Sequence, residues 1–273
     1  MRAIAAIGCL MIFRAGFATP PQPELVEPRI VGMDASRLAI IDELVAEGLA
    51  QDKMPGCVVV IGRREGVVYR KAFGFRQLQP DKQPMELTTV FDLASLTKPI
   101  ATATSIMLLI QDGKLTLDQT AASIIPAFGT NGKDTITIRH LLTHTSGLVA
   151  DNSIKDYEAG AGQAIVNLDA LELKAKPGEE FIYSDVGFMM LGRIVEAVSG
   201  QTVNDFARSR IYEPLGMTET GYLPAAELKR RAATTEQRDG AWMQGDVHDP
   251  RAWALGGVAG HAGLFSTADD LTR

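Results

Sequence analysis

The sequence is short of cysteine. Cys9 and Cys57 are its two cysteines. Cys9 lies in an N-terminal segment that reads as removable, which leaves Cys57 alone, unable to form an internal disulfide and placed as a small core residue in a Val-rich strand. Long apolar runs are also missing. The stretch from Ala3 to Phe13 is too short to span a bilayer, so no transmembrane span is expected. There is no excess of positive charge. The 27 Lys and Arg against 33 Asp and Glu leave a net charge of −6, which excludes a polyanion-binding surface and argues against nucleic acid as a partner. No period in the range of about 20 to 50 residues recurs, so a repeat architecture is excluded. His140 and His144 have helical metal-binding spacing, but there is no His-Glu-x-x-His and no third ligand in view. The glycines at 256, 257, 260 and 263 fit neither a Walker A loop nor a dinucleotide fingerprint, and no metal or nucleotide cofactor is implied.

What is present is an ordinary globular composition. With 273 residues, 46% of them hydrophobic and 22% charged, the chain can bury a sizeable core as one large domain or two intimate ones. Arg2, the apolar run 3–13 and the small residues Gly16 and Ala18 before Thr19-Pro20 read as a secretory signal cleaved after Ala18, although Arg14 interrupts the pattern. That implies export to the periplasm or the exterior. Lipid attachment at Cys9 is disfavoured, because Ala6-Ile7-Gly8 is a poor match to a lipobox.

Residues 19–33 read as a Pro-rich extended leader. Leu38, Ile41, Leu44, Val45 and Leu49 recur at helical spacing behind Asp34 and Ser36, which predicts a helix over 36–51. The β-rich runs 57–61 and 67–73 are joined by five residues, too few for a crossover helix, so they form an antiparallel hairpin. Residues 34–76 thus begin an α/β domain. Helices are expected at 137–143, 185–198 and 203–212, making 77–224 a helical insertion, with 225–273 returning to the α/β domain.

Ser95-Leu96-Thr97-Lys98 is the pattern with the most chemistry in it. Pro99 lacks an N–H and is tolerated in a first turn, so the apolar helix through Ile106 to Ile110 must begin close to Ser95. Residues three apart share a helical face, which lets Lys98 reach the Ser95 hydroxyl as a nucleophile's partner. The bland alternative is a capping serine with an unrelated lysine. A second site is Tyr183-Ser184-Asp185, where a turn delivers a phenol to a helix start. Near a lysine and a serine, that phenol can relay protons; the alternative is a structural tyrosine beside a plain helix cap.

The run Phe91-Asp92-Leu93-Ala94-Ser95-Leu96-Thr97-Lys98, the segment 138–148 with its Leu141-Leu142-Thr143-His144-Thr145-Ser146-Gly147 core, Tyr183-Ser184-Asp185 and Pro214-Leu215-Gly216-Met217 together resemble the serine β-lactamase and penicillin-binding protein superfamily. The resemblance is strongest to the branch of class C β-lactamases, D,D-peptidases and esterases. It implies an α/β plus all-α fold, with an antiparallel sheet flanked by helices and an inserted helical domain. It further implies an acyl-enzyme at Ser95, with Lys98 as its partner, Tyr183 as relay, and small-molecule or peptidoglycan-like substrates.

Three departures qualify this. The family usually has asparagine where this chain has Asp185, and a carboxylate cannot donate to a substrate carbonyl. Its charge near Lys98, worth about 4 kcal/mol at 4 Å in a surface-like dielectric, is expected to keep the lysine protonated and weaken β-lactam hydrolysis. The family's Lys-Thr-Gly or His-Thr-Gly strand is absent; His261-Ala262-Gly263 is a substitute that can line the site, but its continuation 264–271 resembles a helix-opening segment in which Ser266 or Thr267 is the cap. The chain therefore reads as C-terminally incomplete, its sheet incomplete and one face of the hairpin uncovered. The expected activity is that of an esterase or D,D-peptidase-like hydrolase with weak β-lactamase action. A true class C-like β-lactamase and a penicillin-binding module without turnover remain alternatives.

Overall fold

The computed structural model of the chain describes residues 24–64 and 66–273. The expected signal segment 1–18, its cleavage point after Ala18, Cys9 and the start of the leader lie outside the described residues. The side chain of Asp34 accepts the Ser36 N–H at 2.8 Å and opens helix α1 (Ala35–Ala50). Val45 is buried, Leu38 and Ile41 are half-buried, and Ile40 and Leu44 face outward, so α1 lays one narrow stripe on its neighbour. That neighbour is the expected hairpin. Strands β1 (Gly56–Arg63) and β2 (Gly66–Gln77) pair antiparallel from Gly56 opposite Gly74 onward, and β3 (Gln83–Pro84) adds a third strand. A Cβ on Gly56 would stand 2.5 Å from the Phe73 carbonyl oxygen, so only glycine permits this approach.

Alternation along β2 ties the hairpin to both sides. The Tyr69 hydroxyl and the Lys71 ammonium reach Asp42 of α1 at 3.0 and 2.8 Å. Arg70, between them and on the opposite face, donates from Nε to Asp269 at 2.6 Å. After β4 (Val90–Asp92) the chain enters a single helical column: a 3-10 turn at Ala94–Leu96, a wide π turn at Lys98–Ala103 and helix α2 (Thr104–Gln111). Helices α3 (Ile138–Leu142), α4 (Ala161–Asp169), α5 (Asp185–Ser199), α6 (Val203–Ala207) and α7 (Glu213–Leu215) follow. They pack into one large core around Ile106, Leu109, Leu141, Leu191 and Ile194. Burying each such side chain stabilises the fold by about 1.5–3 kcal/mol. No helix among the described residues is long and apolar enough to cross a membrane.

The remainder is β5 (Gly221–Tyr222), α8 (Ala226–Arg231), the hairpin β6 (Thr234–Arg238) and β7 (Ala241–Gln244), α9 (Pro250–Ala254) and β8 (Leu264–Thr267). The expected helix-opening segment is entered through a strand that the sequence did not announce: Leu264 to Thr267 form the central strand of a second antiparallel sheet, β4-β8-β5, with all four side chains buried. Apolar Leu264 and Phe265 pair with Tyr222 and Asp92, and the partner strands decide the conformation. Only then does Thr267 Oγ1 accept the Asp270 N–H at 3.3 Å, ahead of a 3-10 turn at Asp270–Thr272. The architecture is antiparallel sheets flanked by helices, with no closed barrel among the described residues.

Candidate active site

The column that carries Ser95 is strained at its start. Ala94 takes a left-handed φ of 47°, a conformation that costs a non-glycine residue on the order of 1 kcal/mol. Asp92 Oδ1 holds it there by accepting the Ala94 N–H at 2.8 Å. The 3-10 turn that follows leaves Ser95 exposed while Lys98, one turn on, is 3% exposed. The Lys98 ammonium donates to Ser95 Oγ at 2.8 Å and to the His261 carbonyl at 3.3 Å, and pairs with Asp185 Oδ1 at 2.6 Å. Two hydrogen bonds and one ion pair therefore engage the ammonium. The rings of Tyr183 and Phe188 complete the enclosure, their centroids 4.8 and 5.9 Å from Nζ.

Asp185 and Tyr183 arrive together because Ser184 caps α5, its Oγ accepting the Gly187 N–H at 3.0 Å and donating to the Val149 carbonyl at 2.7 Å. Tyr183 is half-exposed and meets Lys98 through its ring face. Asp185 occupies the first turn of α5, where the helix dipole also favours a carboxylate.

His261 reaches the site from its glycine-rich loop by its carbonyl. Its imidazole is buried and turned to Asp249, Nε2 lying 2.9 Å from Oδ1. The loop is delivered by two glycines: a Cβ on Gly260 would lie 2.0 Å from the Phe188 carbonyl oxygen, and one on Gly192 would lie 3.0 Å from Gly260. Thr102 Oγ1 donates to the Gly260 carbonyl at 2.7 Å and Thr97 Oγ1 accepts the Leu264 N–H at 3.1 Å, so the face of the column behind Ser95 grips the same loop.

Two acidic residues at this site have no role in the sequence reading. Asp249 caps α9 through the Ala252 N–H; burial pushes its carboxyl up, but His261, that N–H and Arg251 outweigh it and bring it down to about 2. An Asp-Pro pair ahead of an apolar segment was its visible signal. Asp92 accepts the His248 backbone N–H at 2.9 Å and pairs with its Nδ1 at 3.0 Å, and that bond raises the imidazole above its ordinary value despite burial. A polar residue inside an apolar strand was the hint there. Asp185, Asp249 and His261 each bring one possible metal-ligating atom within 4.8 Å of the others, and Asp185 among them is ion-paired with the Lys98 ammonium. His140 and His144 are both spent on backbone, each Nδ1 accepting an N–H, from Thr137 at 3.3 Å and from Ser184 at 3.0 Å.

A buried lysine one turn from an exposed serine, with a phenol and a carboxylate at the same ammonium, can support acyl transfer to the serine oxygen. The family model described as Beta-lactamase matches residues 41–273. Over 286 residues the chain is 34% identical to a protein of Escherichia coli K12 named "Putative D-alanyl-D-alanine carboxypeptidase", an alignment that takes in 91% of this chain and 66% of that protein. It thus spans about 66% of that curated relative's length. Among solved structures it is similar to EstCE1, "a hydrolase with promiscuous acyltransferase activity", at 26% identity and a TM-score of 0.70, covering 86% of this chain and 70% of that one. It is also similar in fold to a class C beta-lactamase, at 23% identity and a TM-score of 0.74, covering 89% of this chain and 65% of that one.

Proposed function

The chain belongs to the beta-lactamase family, and on that premise we propose that it is an exported serine hydrolase working through an acyl-enzyme on ester, amide or peptide-like substrates. The observation that carries the reading is the 2.8 Å contact between exposed Ser95 and buried Lys98. Ser95 Oγ attacks the substrate carbonyl carbon, forming the acyl-enzyme as the bond to the leaving group breaks; water then attacks the same carbon and frees the serine. Lys98 donates to the Ser95 hydroxyl and the His261 carbonyl and is ion-paired with Asp185, so its part is to hold the serine oxygen and to favour negative charge near it. Tyr183 is the group left to carry the serine proton to the leaving group, and later to take a proton from water. The relatives' names point to D-alanyl peptides and to acyl transfer, and both go through the same intermediate. Asp185 in place of an amide donor favours the esterase and peptidase readings over efficient β-lactam hydrolysis.

The test is covalent labelling. A fluorescent phosphonate should label the chain at Ser95, and Ser95→Ala should erase the label. Labelling that persists in the variant would place the nucleophile elsewhere. Turnover separates a hydrolase from a binding module: repeated release from a p-nitrophenyl ester is expected, whereas one equivalent followed by arrest would mean trapping.

A further inference from the structure

We propose that His144 is a positioning residue, whose backbone and imidazole together hold the Tyr183 ring against Lys98. The inference rests on the acyl-enzyme reading of Ser95, but the contacts that carry it stand on their own. His144 follows α3 in a left-handed conformation, φ 58°, which histidine tolerates better than most side chains and which a helical continuation would not give. From that turn it takes hold of the tyrosine loop at three successive residues. Its carbonyl accepts the Ile182 N–H at 2.8 Å. Its ring stacks on Tyr183, centroids 4.5 Å apart and planes 30° from parallel. Its Nδ1 accepts the Ser184 N–H at 3.0 Å. Phe188 and Phe181 close around the imidazole at 5.0 and 5.8 Å.

An imidazole that accepts at Nδ1 carries its proton on Nε2 and is uncharged. A second proton would turn that acceptor into a donor facing the Ser184 N–H. The charged groups acting on the ring are Lys98 and Asp185, with the Tyr183 phenol stacked on it and the two phenylalanines neutral. Burial, then Lys98, push its pKa below the usual histidine value, and Asp185 opposes them weakly. The tyrosine is thus held by an uncharged histidine at neutral pH and is released as the ring takes a proton in acid.

The experiment uses the full chain and the rate of Ser95 labelling by a fluorophosphonate between about pH 5 and 8. His144→Phe keeps an aromatic ring but has no acceptor, and should slow labelling by roughly 10²-fold, the cost of misplacing a working group by about 1 Å. His144→Asn keeps an acceptor and tolerates the left-handed turn; it should recover at least about tenfold of that loss and lack the acid fall seen in the wild type. Wild-type protein with ¹⁵N-labelled imidazoles provides a second measurement independent of any variant's folding: His144 should be the Nε2–H tautomer, titrating below the ordinary value. A Phe variant that labels at the wild-type rate with an unchanged pH profile would overturn the proposal. So would a wild-type Nδ1–H tautomer or an ordinary titration. If wild-type Ser95 does not label at all, the acyl-enzyme reading fails, and the imidazole spectrum still decides whether His144 holds the loop as described.

Discussion

Lys98 concentrates the charge of the site in one buried ammonium, and the side chains around it differ in what they can give up. Tyr183→Phe keeps the ring that stacks on His144 and faces Lys98, so the fold should persist while turnover of a p-nitrophenyl ester falls by roughly 10²–10⁴, the range for loss of a positioned acid–base group. Steady-state kcat beside an unchanged melting temperature checks this; rates within a few-fold of wild type would make Tyr183 structural. Asp185→Asn removes the charge 2.6 Å from Lys98 and supplies an amide donor. One hydrogen bond to a substrate carbonyl is worth about 1 kcal/mol, so the cephalosporin-to-ester ratio of kcat/KM should rise by roughly five- to tenfold. No rise would sink the account of why this carboxylate disfavours β-lactams.

At the scale of elements, the site is a meeting of the Ser95 column, the start of α5 and the glycine loop 256–263. The contact between α5 and the loop has no side chains to adjust, since Gly192 and Gly260 face each other there. Gly260→Ala must therefore push the loop off α5, costing about 1–3 kcal/mol as other overpacking does and drawing the His261 carbonyl away from Lys98. Gly162→Ala, in α4 with open space at its Cβ, is the control. A lower melting temperature and slower Ser95 labelling are expected for the first and neither for the second; equal behaviour would mean that the loop does not set the lysine.

Across the whole molecule, two histidine–aspartate pairs flank the site and set opposite pH limits. Asp249 is held near 2 against an ordinary 3.8, so the stability it contributes is fully present above about pH 4 and is lost as pH falls toward 2. His248 is raised above 6.5 by Asp92, so its contribution is fully present below that value and is lost as pH rises through the folded pKa. Urea midpoints against pH should fall at both ends. Asp249→Asn should flatten the acid side and His248→Gln the neutral-to-alkaline side; a variant that leaves its own limb unchanged would remove that pair from the account.

The sequence by itself determined what acts within a turn or two of chain. Proline placement and three-residue spacing put Ser95 and Lys98 on one face; Ser184 and Asp185 marked where α5 begins; two β-rich runs and a short loop made the first hairpin. The resemblance marked 264–271 as helix-opening with Ser266 or Thr267 as the cap, and Thr267 does accept the Asp270 N–H ahead of a short helical turn. The strand that leads into it, however, forms only by pairing with β4 and β5, which no local signal announces. Tertiary structure alone decided what meets those residues. The His261 carbonyl reaches Lys98 across 163 positions and the His248 N–H reaches Asp92 across 156. Nδ1 of His144 reaches Ser184 across 40 positions. Local propensity fixes dihedral angles and faces, but which distant loop fills a face depends on close approach between surfaces, such as Gly192 on Gly260, that neither segment encodes without the other.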